Sequence, residues 1–226
     1  MLMLASGKLC AQEGDWNHIG MEDVVSKDTF HRKGYTLIFI NKSPGFDSHV
    51  KDEMVKAFYT VYPKEAKTYN KKTLKTVIFV IDPKYTGVAA TSGAIVRYNP
   101  TWFVSHPKDI DVVTHEVMHI VQGYGYDAGA GWLTEGIADY VRFKFGVDNA
   151  GAGWTLTPFN PKQNYTNAYR ITARFLVWGE KNYDKKLVKK LDAAMRAHTY
   201  SADTWKQLTG KTVDELWAEY AKNPLI

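Results

Sequence analysis

A run of β-formers at residues 35–40 (Tyr-Thr-Leu-Ile-Phe-Ile) predicts a strand, closed by Asn41 and the turn residues Ser43, Pro44 and Gly45. The period then changes. Val50, Met54, Val55, Phe58 and Val61 recur at helical spacing and predict a helix from Asp47 to about Tyr69, with Pro63 marking a kink or a break. Residues 75–81 return to strand composition and stop at Asp82-Pro83. A third strand is expected within 90–98, followed by a turn at Asn99-Pro100. Beyond it the pattern is helical. Helices are expected at about 110–122, opened by Asp109 and Asp111 and stopped by Gly123, and at 132–145, stopped by Gly146. Others follow at about 167–181, 184–198, 202–208 and 212–222, the last with a Thr212/Glu215 capping box. Segments 123–131 and 147–166 read as loops. This order predicts an α+β domain, with a small N-terminal mixed sheet followed by a mainly helical C-terminal half.

Composition fits a globular chain of 226 residues, 45% hydrophobic and 23% charged. The formal charge of +5 is spread over scattered lysines, with pairs at Lys71-Lys72, Lys185-Lys186 and Lys189-Lys190. With no arginine-rich block and no nucleic-acid motif, these read as a solvated basic face rather than a nucleic-acid surface. Cys10 is the only cysteine, which excludes an intramolecular disulfide and a cysteine-based zinc site. The stretch ending Leu9-Cys10-Ala11-Gln12 resembles the end of a signal peptide whose start is missing. Residues 1–12 are therefore expected to be removed, leaving 13–226 as one catalytic domain in a secreted or periplasmic protein. No stretch approaches the roughly 18 apolar residues of a membrane span.

The chemistry concentrates at His115-Glu116-Val117-Met118-His119, an H-E-x-x-H pattern. Residues four apart on a helix share a face, so both imidazoles can address one Zn2+ ion. Glu116 is turned by about 100° from His115 and can reach a water without being a ligand. Val112, Val113, Ile120 and Val121 make the surrounding helix apolar, as a buried one should be. Two histidines do not complete a zinc site. The next acids are Asp127, Glu135 and Asp139, and the last two share a helical face.

The string Trp132-Leu133-Thr134-Glu135-Gly136-Ile137-Ala138-Asp139-Tyr140 makes this region similar to the glutamate-type zincins. The resemblance implies Glu135 as the third zinc ligand, on a second helix, and Asp139 as a support for His115. Asp139 is the alternative ligand. The same segments, with Tyr169 to Leu176 and Gln207 to Trp217, resemble the basic secretory proteins of plants and bacteria over about residues 30–222. That resemblance implies a secreted zinc metallopeptidase acting on a peptide or protein, with Glu116 as general base. Tyr169 is the first candidate to donate to the oxyanion, since it opens the family-like segment, and Tyr124 and Tyr126 are alternatives. Arg174 is expected to pair with an acid. Residues 92–98 are the candidate edge strand for an extended substrate. His18, His31, His49, His106 and His198 lack ligand spacing. Two other readings stand beside the peptidase. One is a zinc hydrolase of another substrate class, such as a glycopeptide, for which Trp154 and Tyr165 could suit sugars. The other is a non-catalytic binding or defence protein, against which an intact Glu116 argues.

Overall fold

The computed structural model describes residues 16–226, so the candidate signal segment 1–12 lies outside the described residues. Five strands form one mixed sheet in the order β1-β2-β3-β5-β4. They are β1 (Ser26–Arg32), β2 (Tyr35–Asn41), β3 (Thr76–Ile81), β4 (Ala89–Ser92) and β5 (Ile95–Tyr98). β2, β3 and β5 run parallel, while β1 and β4 are antiparallel edges.

Two strands depart from expectation. β1 was not predicted, because an edge strand with one solvated face needs few apolar residues, and in Ser-Lys-Asp-Thr-Phe-His-Arg only Phe30 is large and apolar. The single strand expected in 90–98 is a hairpin, β4 and β5, turning at Gly93-Ala94. Asn99-Pro100 does not merely turn the chain. Asn99 caps a short helix by accepting from Thr101 N–H, and Pro100 takes its first position.

The helices are α1 (Ser48–Thr68), α2 (Pro100–Ser105), α3 (Val112–Gln122), α4 (Gly131–Phe145), α5 (Tyr169–Asn182), α6 (Leu187–Arg196), α7 (Asp203–Thr209) and α8 (Val213–Lys222). α1 runs through Pro63 without a break. The proline leaves the Tyr59 carbonyl without its helical donor, and Lys33 Nζ donates to that oxygen at 2.9 Å. The Thr212/Glu215 capping box forms in both directions.

Leu37, Phe39, Val77, Phe79, Val96 and Tyr98 project from one face of the sheet into a continuous core shared with α1, α3, α4 and α5. α3 is buried on almost every side, packed between α1, α4 and β4. Its last carbonyls do not go unpaired. Thr73 Oγ1, Asn70 Nδ2 and Arg196 Nη1 donate to the carbonyls of Ile120, Val121 and Gln122, and Gly123 leaves the helix in a left-handed conformation at φ 50°.

Candidate active site

His115 and His119 lie one turn apart on α3, and Glu135 reaches them from the second turn of α4. His115 Nε2 is 3.1 Å from His119 Nε2 and 3.2 Å from Glu135 Oε2, and His119 Nε2 is 3.6 Å from the same oxygen. Among the described residues these three form a group able to hold a metal ion.

The outer nitrogens explain why a cation fits. His115 Nδ1 donates to Asp139 Oδ1 at 2.7 Å, and His119 Nδ1 donates to Gln122 Oε1 at 2.7 Å. Gln122 is itself fixed, because its Nε2 donates to the Thr134 carbonyl on α4 at 2.9 Å. With the Nδ1 atoms protonated, both neutral rings turn Nε2 lone pairs toward a carboxylate oxygen. In that neutral state, the one an ion would select, three acceptors converge. A tetrahedral ion with ligands at about 2.0–2.1 Å sets them about 3.3 Å apart, which matches the observed triangle. Asp139 is one turn further along α4, behind His115, and occupies the supporting position rather than the triangle.

The electrostatics agree. Burial pushes His115 and His119 down, but hydrogen bonds to Asp139 and Glu135 outweigh it and hold His115 well above the ordinary imidazole range. Glu135 in turn raises His119. Burial pushes Glu135 up, yet both histidines bring its carboxyl well below the usual range. Without an ion, protons take up the attraction of the carboxylates. Gly136 lets this arrangement close, since a Cβ there would lie 2.2 Å from Thr172 Cγ2 on α5.

Glu116 sits between the triangle and β4, close enough for its charge to act on His115, His119 and Tyr169. Its Oε2 accepts from Thr91 Oγ1 at 2.7 Å, and the same hydroxyl is 3.0 Å from the Glu116 carbonyl. Tyr169 approaches from the start of α5, its ring stacked on His115 with centroids 6.1 Å apart. Burial, then the carboxylates of Glu135, Asp139 and Glu116, push its hydroxyl up to about 12. The backbone that presents it is strained. Ala168 has φ 64° and ψ −172°, and Tyr169 has φ 50°.

Other expectations are corrected. Ile95–Tyr98 lies inside the sheet, between β3 and β4, so the edge beside α3 is β4. The second strand of the hairpin, β5, pairs with β3, which leaves β4 outermost. Tyr124 is buried and donates to Asp192 Oδ1 at 3.0 Å, which ties it to packing. Tyr126 and Asp127 sit exposed in the loop after α3. Arg174 donates to the Pro224 carbonyl at 3.1 Å rather than pairing with an acid. Trp154 lies under the Arg142 guanidinium at 4.6 Å, and Tyr165 donates to Asp214 while packing on Trp132, so both serve packing. His31 bonds to Thr36 and His106 stacks on Trp102, away from the triangle. Sequence reasoning missed Thr91 and Gln122. Gln122 follows His119 by three residues, a helical spacing that could have pointed to it. Thr91 carried no local signal.

The family model described as "Peptidase of plants and bacteria" matches residues 31–220. The chain belongs to this peptidase family. No curated protein matches the sequence. Among solved structures, this peptidase is similar to an M1 zinc metallopeptidase from Deinococcus radiodurans, with a TM-score of 0.55 at 12% identity over 90% of this chain and 52% of the other. A variant of that enzyme bound to a Tyr-Ser-Ala substrate gives a TM-score of 0.55 at 13% identity over 89% and 53%. The peptidase thus spans about half the length of these structures, and the likeness is one of fold.

Proposed function

We propose that the chain is a secreted zinc-dependent metallopeptidase, with His115, His119 and Glu135 as the zinc ligands and Glu116 as the general base. The observation that carries this is the convergence of His115 Nε2, His119 Nε2 and Glu135 Oε2 at tetrahedral spacing. Zinc, when bound, polarises the scissile carbonyl and lowers the pKa of water toward neutrality. Glu116 accepts the proton of the attacking water and returns one to the leaving amine. Thr91 holds the Glu116 carboxylate from β4. Tyr169, whose hydroxyl keeps its proton to about 12, donates to the developing oxyanion.

β4 supplies the substrate track. In a two-residue hairpin the flanking pair, Ser92 and Ile95, is the hydrogen-bonded one, so alternation turns the backbone of Ala89 and Thr91 outward. Tyr85 Oη takes the Ala89 carbonyl at 3.1 Å. The Thr91 N–H and C=O remain for an extended peptide, directly beside Glu116. The secreted location rests on the Leu9–Gln12 pattern.

The test is a peptide-library digest with and without a zinc chelator, run beside Glu116→Gln. Cleavage that the chelator abolishes, together with a variant that keeps stoichiometric zinc and loses hydrolysis, is the expected result. Full activity in Glu116→Gln, or cleavage indifferent to the chelator, refutes the proposal.

A further inference from the structure

The two lysine pairs at 185–186 and 189–190 look dispersed in the sequence, yet the fold gathers three of those four residues with a lysine from another helix. A recess of about 330 Å³ is lined by Lys144 from α4, Lys185, Lys186 and Lys189 around the start of α6, Glu180 from α5, and the aromatic rings of Tyr69, Tyr140 and Phe145. Lys64 lies 4.0 Å over the ring of Phe145, one of the lining residues.

Among the described residues, none of the four lining ammonium groups donates a hydrogen bond to, or forms an ion pair with, a protein group, although that of Lys144 lies 5.7 Å over the Tyr140 ring. The nearby acids are already engaged. Glu180 accepts from Tyr140 Oη and from the Val188 N–H at the first turn of α6. Asp184 accepts from the Lys186 N–H and pairs with Lys190 at 2.6 Å. The hydroxyl of Tyr69, which also lines the recess, has no hydrogen-bond partner among the described residues. Four cations in one concave site therefore face a single lining carboxylate, Glu180, which Lys144 attracts and which already accepts two hydrogen bonds. Such an arrangement focuses positive potential and suits an anion bearing several charges. A monovalent carboxylate would leave most of the charge unmatched.

We propose that this recess binds a compact polyanion, one carrying at least two phosphate or sulfate groups. Its volume admits a di- or triphosphate chain or one sulfated sugar. The site is separate from the chemistry. Glu180 lies 11 residues along α5 from Tyr169, about 16 Å at helical rise. Binding there holds the protein on an anionic molecule while the cleft stays open. This inference does not depend on the zinc site.

The experiment is calorimetric titration of the full chain with inorganic tripolyphosphate at low ionic strength. A sulfated disaccharide and inorganic phosphate serve as parallel arms. The comparison variants are Lys144→Gln/Lys186→Gln and the remote pair Lys27→Gln/Lys162→Gln, on β1 and in the loop before α5, which changes net charge equally, and thermal melts verify that each is folded. One-to-one binding of a polyanion, weakened about 10-fold or more by the recess pair and little by the remote pair, is expected. A preference for tripolyphosphate or for the sulfated sugar identifies the source of the anion. No binding of either polyanion overturns the proposal. So does equal weakening by both variants, which would mean diffuse charge attraction, and so does inorganic phosphate binding as tightly as the polyanions.

Discussion

Replacing Glu65 by Gln is expected to stabilise the protein above pH 5, by an amount that grows with pH. Glu65 lies on α1 with no exposed surface, and neither carboxylate oxygen has a hydrogen-bond partner among the described residues. Burial is the main cause that pushes its carboxyl well above the usual range. The Asp111 charge adds to this, and His115 and Lys64 oppose it. The sign follows from linkage. A raised folded pKa means the folded chain keeps a proton that the unfolded chain loses above about pH 4.3, so stability falls as pH rises. Each pH unit in that window costs about 1.4 kcal/mol. The penalty accumulates over the whole range in which the folded chain keeps the proton and the unfolded chain has lost it. Gln has the same shape and no proton to lose, so it removes the pH-dependent part alone. The assay is urea unfolding of both proteins from pH 5 to 8 with the same zinc buffer, read as the difference between them. A difference that widens with pH is expected. Parallel stability curves would refute the reasoning, since they would mean that Glu65 ionises as easily in the folded chain as in the unfolded one.

Asp139→Asn should weaken zinc binding by about 10- to 100-fold while leaving the fold intact, as measured by chelator competition. Thr91→Val should keep zinc and lower kcat, whereas Thr91→Ser should recover most of the loss; equal activity in the two would remove Thr91 from any role in holding Glu116. Ala168→Gly should raise stability by about 1 kcal/mol, because φ 64° with ψ −172° suits glycine. It should also lower kcat, since Tyr169 is then less firmly aimed. Arg196→Met leaves Asp192 buried without its cation, and a loss of about 3–5 kcal/mol is expected in chemical denaturation.

Much of the fold was legible because period and punctuation agree. The α3 boundary at Gly123 and the α8 start at Thr212 carry their caps in the sequence itself. β1 was not legible, since a half-solvated edge strand writes almost nothing into its composition. The β4–β5 hairpin was read as one strand because its turn, Gly93-Ala94, carries only a single glycine signal. At the site, His115, Glu116 and His119 follow from helix geometry alone. The positions of Glu135 and Asp139 needed the family resemblance, because spacing left three acids open. Thr91 was out of reach, since its partner lies 25 residues away and strand order decides their meeting. Gln122 works through an amide, a group that ligand searches pass over.

The bonds behind the metal triangle do not run through it. Asp139 holds His115, Gln122 holds His119 from an amide anchored on α4, and Arg196 holds the end of α3 from α6. The rings are therefore oriented before any ion arrives, and little side-chain freedom is left to lose when one does. Loading becomes a reversible event on a finished scaffold rather than a folding step. A chelator-stripped sample should keep its near-ultraviolet signature and regain full zinc content within the time of mixing, with no refolding delay.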